Sequence, residues 1–146
     1  MSYWDTGCLV KLYTPEPNSA QFSSYLAANS RCVTADLAPL EFWATVRRKE
    51  AEGLLAAGEA QKVQTVFESD IDAGLILVQA SDESVRREYH DVVDRCLAAT
   101  PPIYIRTNDA LHLAAAKVAG ETEIVATDKR MREAALLLGC SLFPPV

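Results

Sequence analysis

The sequence predicts an α/β protein built on a mainly parallel sheet, and three observations predict it. Five short strand-like runs alternate with helical segments along the 146 residues, the order that a parallel sheet with crossover helices requires. One of these runs, Leu75-Ile76-Leu77-Val78, is apolar throughout, as are strands of parallel sheets covered on both faces. No repeat, low-complexity tract or long linker divides the chain, so residues 1–146 read as one domain. That length buries a real core without help from disulfides or metals.

Composition narrows the class. With 49% hydrophobic and 23% charged residues, the chain is globular, not disordered. Its apolar runs are broken or much shorter than the roughly 18 residues a membrane span needs. Met1-Ser2-Tyr3-Trp4-Asp5 lacks the basic and apolar regions of a signal peptide, so a cytoplasmic protein with no membrane partner is the default expectation. Cys8, Cys32, Cys96 and Cys140 form no C-x-x-C pair and read as reduced, mostly buried thiols. Fourteen Lys and Arg against twenty Asp and Glu leave a net charge of −6, which argues against non-specific nucleic-acid binding by bulk charge.

The elements follow in order. Tyr3-Trp4 is a short strand ending at Asp5, and Thr6 to Tyr13 is a helix stopped by Thr14-Pro15-Glu16-Pro17. Asn18 or Ser19 caps a second helix with Phe22, Tyr25 and Leu26 on one face. Arg31 to Thr34 is strand-like. Asp36 is placed to cap a helix from Leu37, with Pro39 in its first turn, that runs through Arg47-Arg48-Lys49 to Gly53. Gly58 to Asp72 forms another helix, with Val63, Val66, Phe67 and Ile71 marking its apolar face. After the strand at 75–78, Ser81 to Thr100 makes a long amphipathic helix, with Val85, Tyr89, Val92, Val93, Cys96 and Leu97 inward, closed by Pro101-Pro102. The strand Ile124 to Thr127 ends at Asp128, Lys129 to Leu138 is a helix stopped by Gly139, and Cys140 to Phe143 is the last strand.

Between them lies Arg106 to Ala116, a helix apolar on nearly every side that opens with a carboxylate, Asp109. Such a helix is buried, and an ionised Asp at its edge needs a partner, a hydrogen bond or a metal. Thr107 as N-cap puts Asp109 in the first turn, where free N–H groups tolerate negative charge. His112, three residues on and on the same side, reads as a hydrogen-bonded histidine in the helix packing near Asp109.

Other acids point to the same place. Asp5 and Asp128 each follow a predicted strand, at the edge where open α/β sheets bind ligands. Each also has an ordinary reading: Asp5 as a turn residue, Asp128 as an N-cap, Glu41 as a solvated helix residue. Together, four carboxylates in one crevice repel each other unless a cation sits among them. Mg²⁺ and Mn²⁺ prefer such oxygen ligands, and one or two ions roughly 4 Å apart activate a water and stabilise a leaving oxygen in phosphodiester cleavage.

These residues resemble the PIN-domain ribonucleases, and most closely the VapC toxins of prokaryotic type II toxin–antitoxin pairs. The resemblance rests on Asp5-Thr6 after the first strand, Glu41 in the helix after the second, and Arg106-x-x-Asp109-Ala110-x-His112-x-Ala114-x-Ala116. It rests also on Val10-Lys11-Leu12-Tyr13-x-Pro15-Glu16-Pro17 and on Ala126-Thr127-Asp128-Lys129-Arg130-Met131, where the family reads Thr-x-Asp-x-Arg-Met. It spans the chain, and it implies a three-layer α/β/α fold with a five-stranded sheet ordered 3-2-1-4-5. The strands ending in Asp5 and Asp128 would then be neighbours at the switch point.

The resemblance implies that Asp5, Glu41, Asp109 and Asp128 form the catalytic set and hold Mg²⁺, with Mn²⁺ substituting. Thr6 matches the hydroxyl residue after the first acid, and Thr127 a polar residue beside the last. Gly7 stands where many members carry Ser or Thr. The implied activity is endonucleolytic hydrolysis of RNA, tRNA or rRNA being candidate targets, to a 3′-hydroxyl and a 5′-phosphate. The implied partners are a VapB-like antitoxin and a second copy of the chain. Arg47, Arg48, Lys49, Lys129, Arg130 and Arg132 are candidate backbone contacts, and Trp4, Trp43, Phe42 and Tyr13 candidate interface aromatics.

Two other readings are weighed. Asp5-Thr6-Gly7 matches the aspartic-protease tripeptide, but those enzymes need two such aspartates in a β-rich fold and the chain has one copy, followed by a helix. A receiver-like signalling module that binds Mg²⁺ without hydrolysing RNA suits Lys129 after Asp128. It expects two acids at the first strand, where only Asp5 is present.

Overall fold

The computed structural model describes residues 1–29 and 31–146. Five strands are all parallel: β1 (Ser2–Trp4), β2 (Cys32–Ala35), β3 (Ile76–Gln79), β4 (Glu123–Val125) and β5 (Ser141–Phe143), in spatial order β3-β2-β1-β4-β5. The helices are α1 (Thr6–Tyr13), α2 (Ser19–Asn29), α3 (Ala38–Ala51), α4 (Glu59–Asp72), α5 (Glu83–Ala98), α6 (Thr107–Val118) and α7 (Lys129–Leu137). The predicted strand order and the predicted pairing of β1 with β4 are both observed.

Because successive side chains on a strand point to opposite faces, each central strand feeds two cores. Tyr3 and Ile124 face a core with Val85, Val92 and Cys96 of α5, the alanines of α6, and Met131 of α7. Trp4 and Val125 face the other core, with Leu9 of α1, Phe22 of α2, Phe42 and Val46 of α3 and Phe67 of α4. The result is three layers. The second core is aromatic: Phe42 and Phe67 stack at 4.1 Å, and Tyr13 meets both edge-on at 5.6 Å.

Several local expectations are corrected. Arg106, not Thr107, takes the N-cap position of α6, and its side chain makes no capping bond. Asp36 does not cap α3, whose N-cap position is Leu37; its carboxylate instead accepts from the Ser81 N–H at 2.8 Å and the Ser81 hydroxyl at 2.6 Å. That pair ties the β2–α3 turn to the end of β3. The 75–78 run is apolar but lies at the sheet edge, so Leu75 and Val78 are exposed. Val66 and Leu97 face solvent as well. Trp4 and Phe42 are fully buried and are core, not interface, aromatics.

The two turns that matter most differ in one respect. Asp128 caps α7 by accepting from Met131 N–H at 3.0 Å, whereas Asp5, at the N-cap position of α1, makes no capping bond with its side chain. The Asp5 N–H donates to Val125 O at 3.0 Å, which locks the ends of β1 and β4 together. The Asp5 carboxylate, met by the adjacent Thr6 N–H and facing His112 at 3.6 Å, is not spent on a cap.

Candidate active site

Asp5 therefore stands at the carboxyl end of β1, where the chain order steps from β2 through β1 to β4, the usual ligand crevice of an open parallel sheet. Thr6 begins α1 and is buried; its hydroxyl donates to Glu41 Oε1 at 2.8 Å. Glu41 sits in the first turn of α3, and Asn108 at the start of α6 approaches its other oxygen at 3.4 Å. Three elements thus converge on one glutamate.

His112 lies beneath them. It is fully buried on α6, with Nε2 at 2.6 Å from Glu41 Oε1 and 3.6 Å from Asp5 Oδ1, and Nδ1 at 2.7 Å from the Tyr3 hydroxyl. The expectation of a buried, hydrogen-bonded histidine holds in part. Its partners are on β1 and α3 and not within the packing of α6. The Tyr3 hydroxyl both donates and accepts, so it satisfies Nδ1 whether the ring is neutral or charged.

Asp109 is buried in the first turn of α6 and accepts from Arg106 Nε at 3.1 Å. The same guanidinium reaches Asp128 Oδ2 through Nη2 at 3.2 Å. Arg106, Thr107, Asn108, Asp109 and Glu41 line an open cleft of about 390 Å³. Among the described residues, no three His, Cys, Asp or Glu side chains are close enough to hold a cation as they stand. His112 and Arg106 each stand between two of the acids, His112 between Glu41 and Asp5 and Arg106 between Asp109 and Asp128.

The electrostatics follow from this crowding. Burial pushes the Asp5 carboxyl up, and the charges of Glu41 and Asp109 push it the same way, against the pull of His112. Burial also opposes ionisation of Glu41, but the hydrogen bond and charge of His112, with the Thr6 and Asn108 bonds, outweigh it and hold Glu41 below the ordinary range. For His112 burial favours the neutral ring. The bond to Glu41 and the charges of Asp5, Glu41 and Asp109 win, and its pKa is raised. Protonation of His112 and ionisation of Glu41 therefore favour each other, while the Asp5 carboxyl is the one pushed up, despite His112 at 3.6 Å.

The other predicted residues fall as follows. Thr127 is exposed and in contact with the Cys8 thiol. A Cβ built on Gly7 would meet Asp5 Oδ2 at 3.5 Å, so this bare position keeps one side of Asp5 open. Lys129 and Arg130 open α7 next to Asp128 and are exposed; Arg130 approaches Tyr104 O at 3.5 Å. Arg132 donates to Ala126 O at 2.9 Å. Arg47 and Arg48 are exposed roughly 10 Å along α3 from Glu41, by helical rise. Arg47 lies over the Trp43 ring and pairs with Glu50, and Lys49 pairs with Glu16 at 3.5 Å.

Tyr3, Arg106 and Asn108 escaped functional assignment from the sequence. For Arg106 a signal existed, since it precedes Asp109 by three residues and such pairs share a helix face. For Tyr3 none did: its contact with His112 spans 109 positions.

Comparison with known proteins agrees with this geometry. The chain is 30% identical over 151 aligned residues to Ribonuclease VapC35 of Mycobacterium tuberculosis, covering 99% of this chain and 97% of the relative. The fold is similar to the crystal structure of FitAcB from Neisseria gonorrhoeae, with a TM-score of 0.64 and 22% identity, covering 98% of this chain and 96% of the other. The PIN domain profile matches residues 2–137, and the chain belongs to the PIN domain family.

Proposed function

We propose that the protein is a divalent-metal-dependent endoribonuclease acting as the toxin of a toxin–antitoxin pair. The observation that carries the reading is the convergence of Asp5, Glu41 and Asp109, from three separate elements, around His112 at the carboxyl end of β1. The relation to a protein named as a ribonuclease supports it. The PIN domain match supports it over the receiver-like reading.

The donor set fits a hard cation. It consists of carboxylate oxygens, which Mg²⁺ and Mn²⁺ prefer, and half-buried Asp5 lies beside two other acids that, with its desolvation, push its carboxyl up. Asp5, Glu41, Asp109 and Asp128 are the residues that would hold the ion. When bound, such an ion supplies Lewis acidity toward a phosphodiester and lowers the pKa of water.

The chain's own residues do the positioning. Tyr3 holds His112, and His112 and Thr6 together hold Glu41 Oε1. These three hydrogen bonds fix Oε1, while Asn108 alone approaches Oε2, at 3.4 Å. Asp5 is held through its backbone at the β1–β4 junction. Asp109 is held by burial of α6, and Asp128 by its cap on Met131. Lys129 and Arg130, exposed beside Asp128, supply positive charge for an RNA backbone despite the net charge of −6. The partners in this reading are RNA, a VapB-like antitoxin and a second copy of the chain. Trp43, exposed on α3 in a groove with Pro39, Leu40 and Gln64, and partly exposed Tyr13 are the interface aromatics that remain available.

The test is cleavage of structured RNA by the purified protein with Mn²⁺, with and without EDTA, beside Asp109→Asn. Cleavage that needs the metal and is lost in the variant is expected. Metal-independent cleavage, or full activity of Asp109→Asn, overturns the reading.

A further inference from the structure

We infer that Arg106 is a built-in counter-cation, holding Asp109 and Asp128 in place of the metal ion and exchanged for it when the ion binds. The inference rests on the proposed reading of these acids as metal ligands. Its geometry is specific. One planar guanidinium joins Asp109 Oδ2 through Nε at 3.1 Å and Asp128 Oδ2 through Nη2 at 3.2 Å, linking α6 to the β4–α7 turn.

Arginine is always charged and has no acceptor. It can neutralise two carboxylates but can do nothing else with them. For Asp128 the bonded oxygen is the one left for a cation, because Oδ1 is already committed to the Met131 N–H, and for Asp109 the guanidinium occupies Oδ2. A divalent ion draws oxygen ligands to about 2.0–2.6 Å, and a guanidinium sharing those ligands would repel it. Ion and arm therefore compete.

The arm is also built to leave. The Arg106 side chain is 63% exposed, against 11% for Asp109, so water can take over its hydrogen bonds when it swings away. Asp128 keeps its cap on α7 whether or not Arg106 is present. On release, the guanidinium stays at the mouth of the cleft it already lines with Thr107 and Asn108, where it is free to meet a phosphate.

The experiment is titration of Mn²⁺ into the full chain, without RNA, by isothermal calorimetry for wild type, Arg106→Gln, Arg106→Lys and Asp109→Asn. Removing a competing charge is expected to tighten Mn²⁺ binding about tenfold in Arg106→Gln, within the usual range of coupling between sites, with Arg106→Lys between it and wild type. Melting in EDTA is expected to show Arg106→Gln below wild type, the gap closing when Mn²⁺ saturates both. Equal or weaker Mn²⁺ binding by Arg106→Gln, or a melting gap that Mn²⁺ leaves unchanged, overturns the inference while wild-type binding keeps the metal site standing. Failure of wild type to bind Mn²⁺, or undiminished binding by Asp109→Asn, overturns the metal site and the inference with it.

Discussion

His112 Nε2 lies 2.6 Å from Glu41 Oε1 although the two residues are 71 positions apart, and this contact joins the two helical layers across the carboxyl end of the sheet. His112 belongs to α6 on one face, Glu41 to α3 on the other. Tyr3 of β1, between them, completes the connection through Nδ1. The same contact that stabilises the junction also aims a carboxylate at Asp5.

Removing the ring should therefore cost stability as well as function. His112→Leu leaves the Tyr3 hydroxyl and the Glu41 carboxylate without their partner in a largely dry site. The expected loss is about 2–3 kcal/mol, below the cost for a fully buried pair because Glu41 is 28% exposed. The urea midpoint of the metal-free protein measures it. A midpoint within error of wild type would show that the contact carries no weight.

The direction of the pH dependence follows from the raised pKa of His112. A base whose folded pKa exceeds its unfolded value contributes stability that is complete below the ordinary imidazole value of about 6.5 and is lost as pH rises through the folded value. The raised pKa of Asp5 acts in the same direction from a lower pH. Glu41 acts oppositely, its contribution being lost as pH falls below the ordinary carboxyl range. In EDTA the urea midpoint should fall between pH 6 and pH 9, with a shallower fall in His112→Gln. A midpoint that rises over this window contradicts the assignment.

Asp5 should show a trade between stability and activity. Its carboxyl is half-buried, crowded by two acids and unused as a cap. Asp5→Asn keeps the shape and removes the charge, so the metal-free protein should gain on the order of 1 kcal/mol while RNA cleavage is abolished. Melting curves in EDTA beside a cleavage assay read both. A variant that is destabilised would show that His112 already compensates Asp5 in full.

Ala114 tests the link between packing and the site. It is fully buried on α6, in the core shared with α5 and the sheet, where small side chains let the helix lie close. Ala114→Leu should cost about 1–3 kcal/mol by overpacking and, by shifting α6, reduce cleavage more than the stability loss explains. Cleavage measured well below the melting transition separates the two. Unchanged activity there would mean that the height of α6 does not set the position of Asp109.

Much of this protein was legible in its sequence. The alternation of strand-like and helical runs gave the class, and the all-apolar body of α6 announced a buried helix with an acid at its lip. Asp5 and Asp128 could be placed at strand ends because strand-to-helix turns are local events. Local errors had local causes: Asp36 prefers the Ser81 hydroxyl to an N-cap, and Val66 and Leu97 show that an apolar residue is free to face solvent.

What the tertiary structure alone decided is who meets whom at the crowded edge. That Asp128 caps its helix while Asp5 makes no cap bond, that Arg106 spans two acids, and that His112 reaches Tyr3 and Glu41 depend on sheet order and helix height. Periodicity and spacing report which face of an element is buried, since burial is a property of one element against solvent. Charge pairing depends on distances between elements far apart in the chain, and those exist only once the layers have packed.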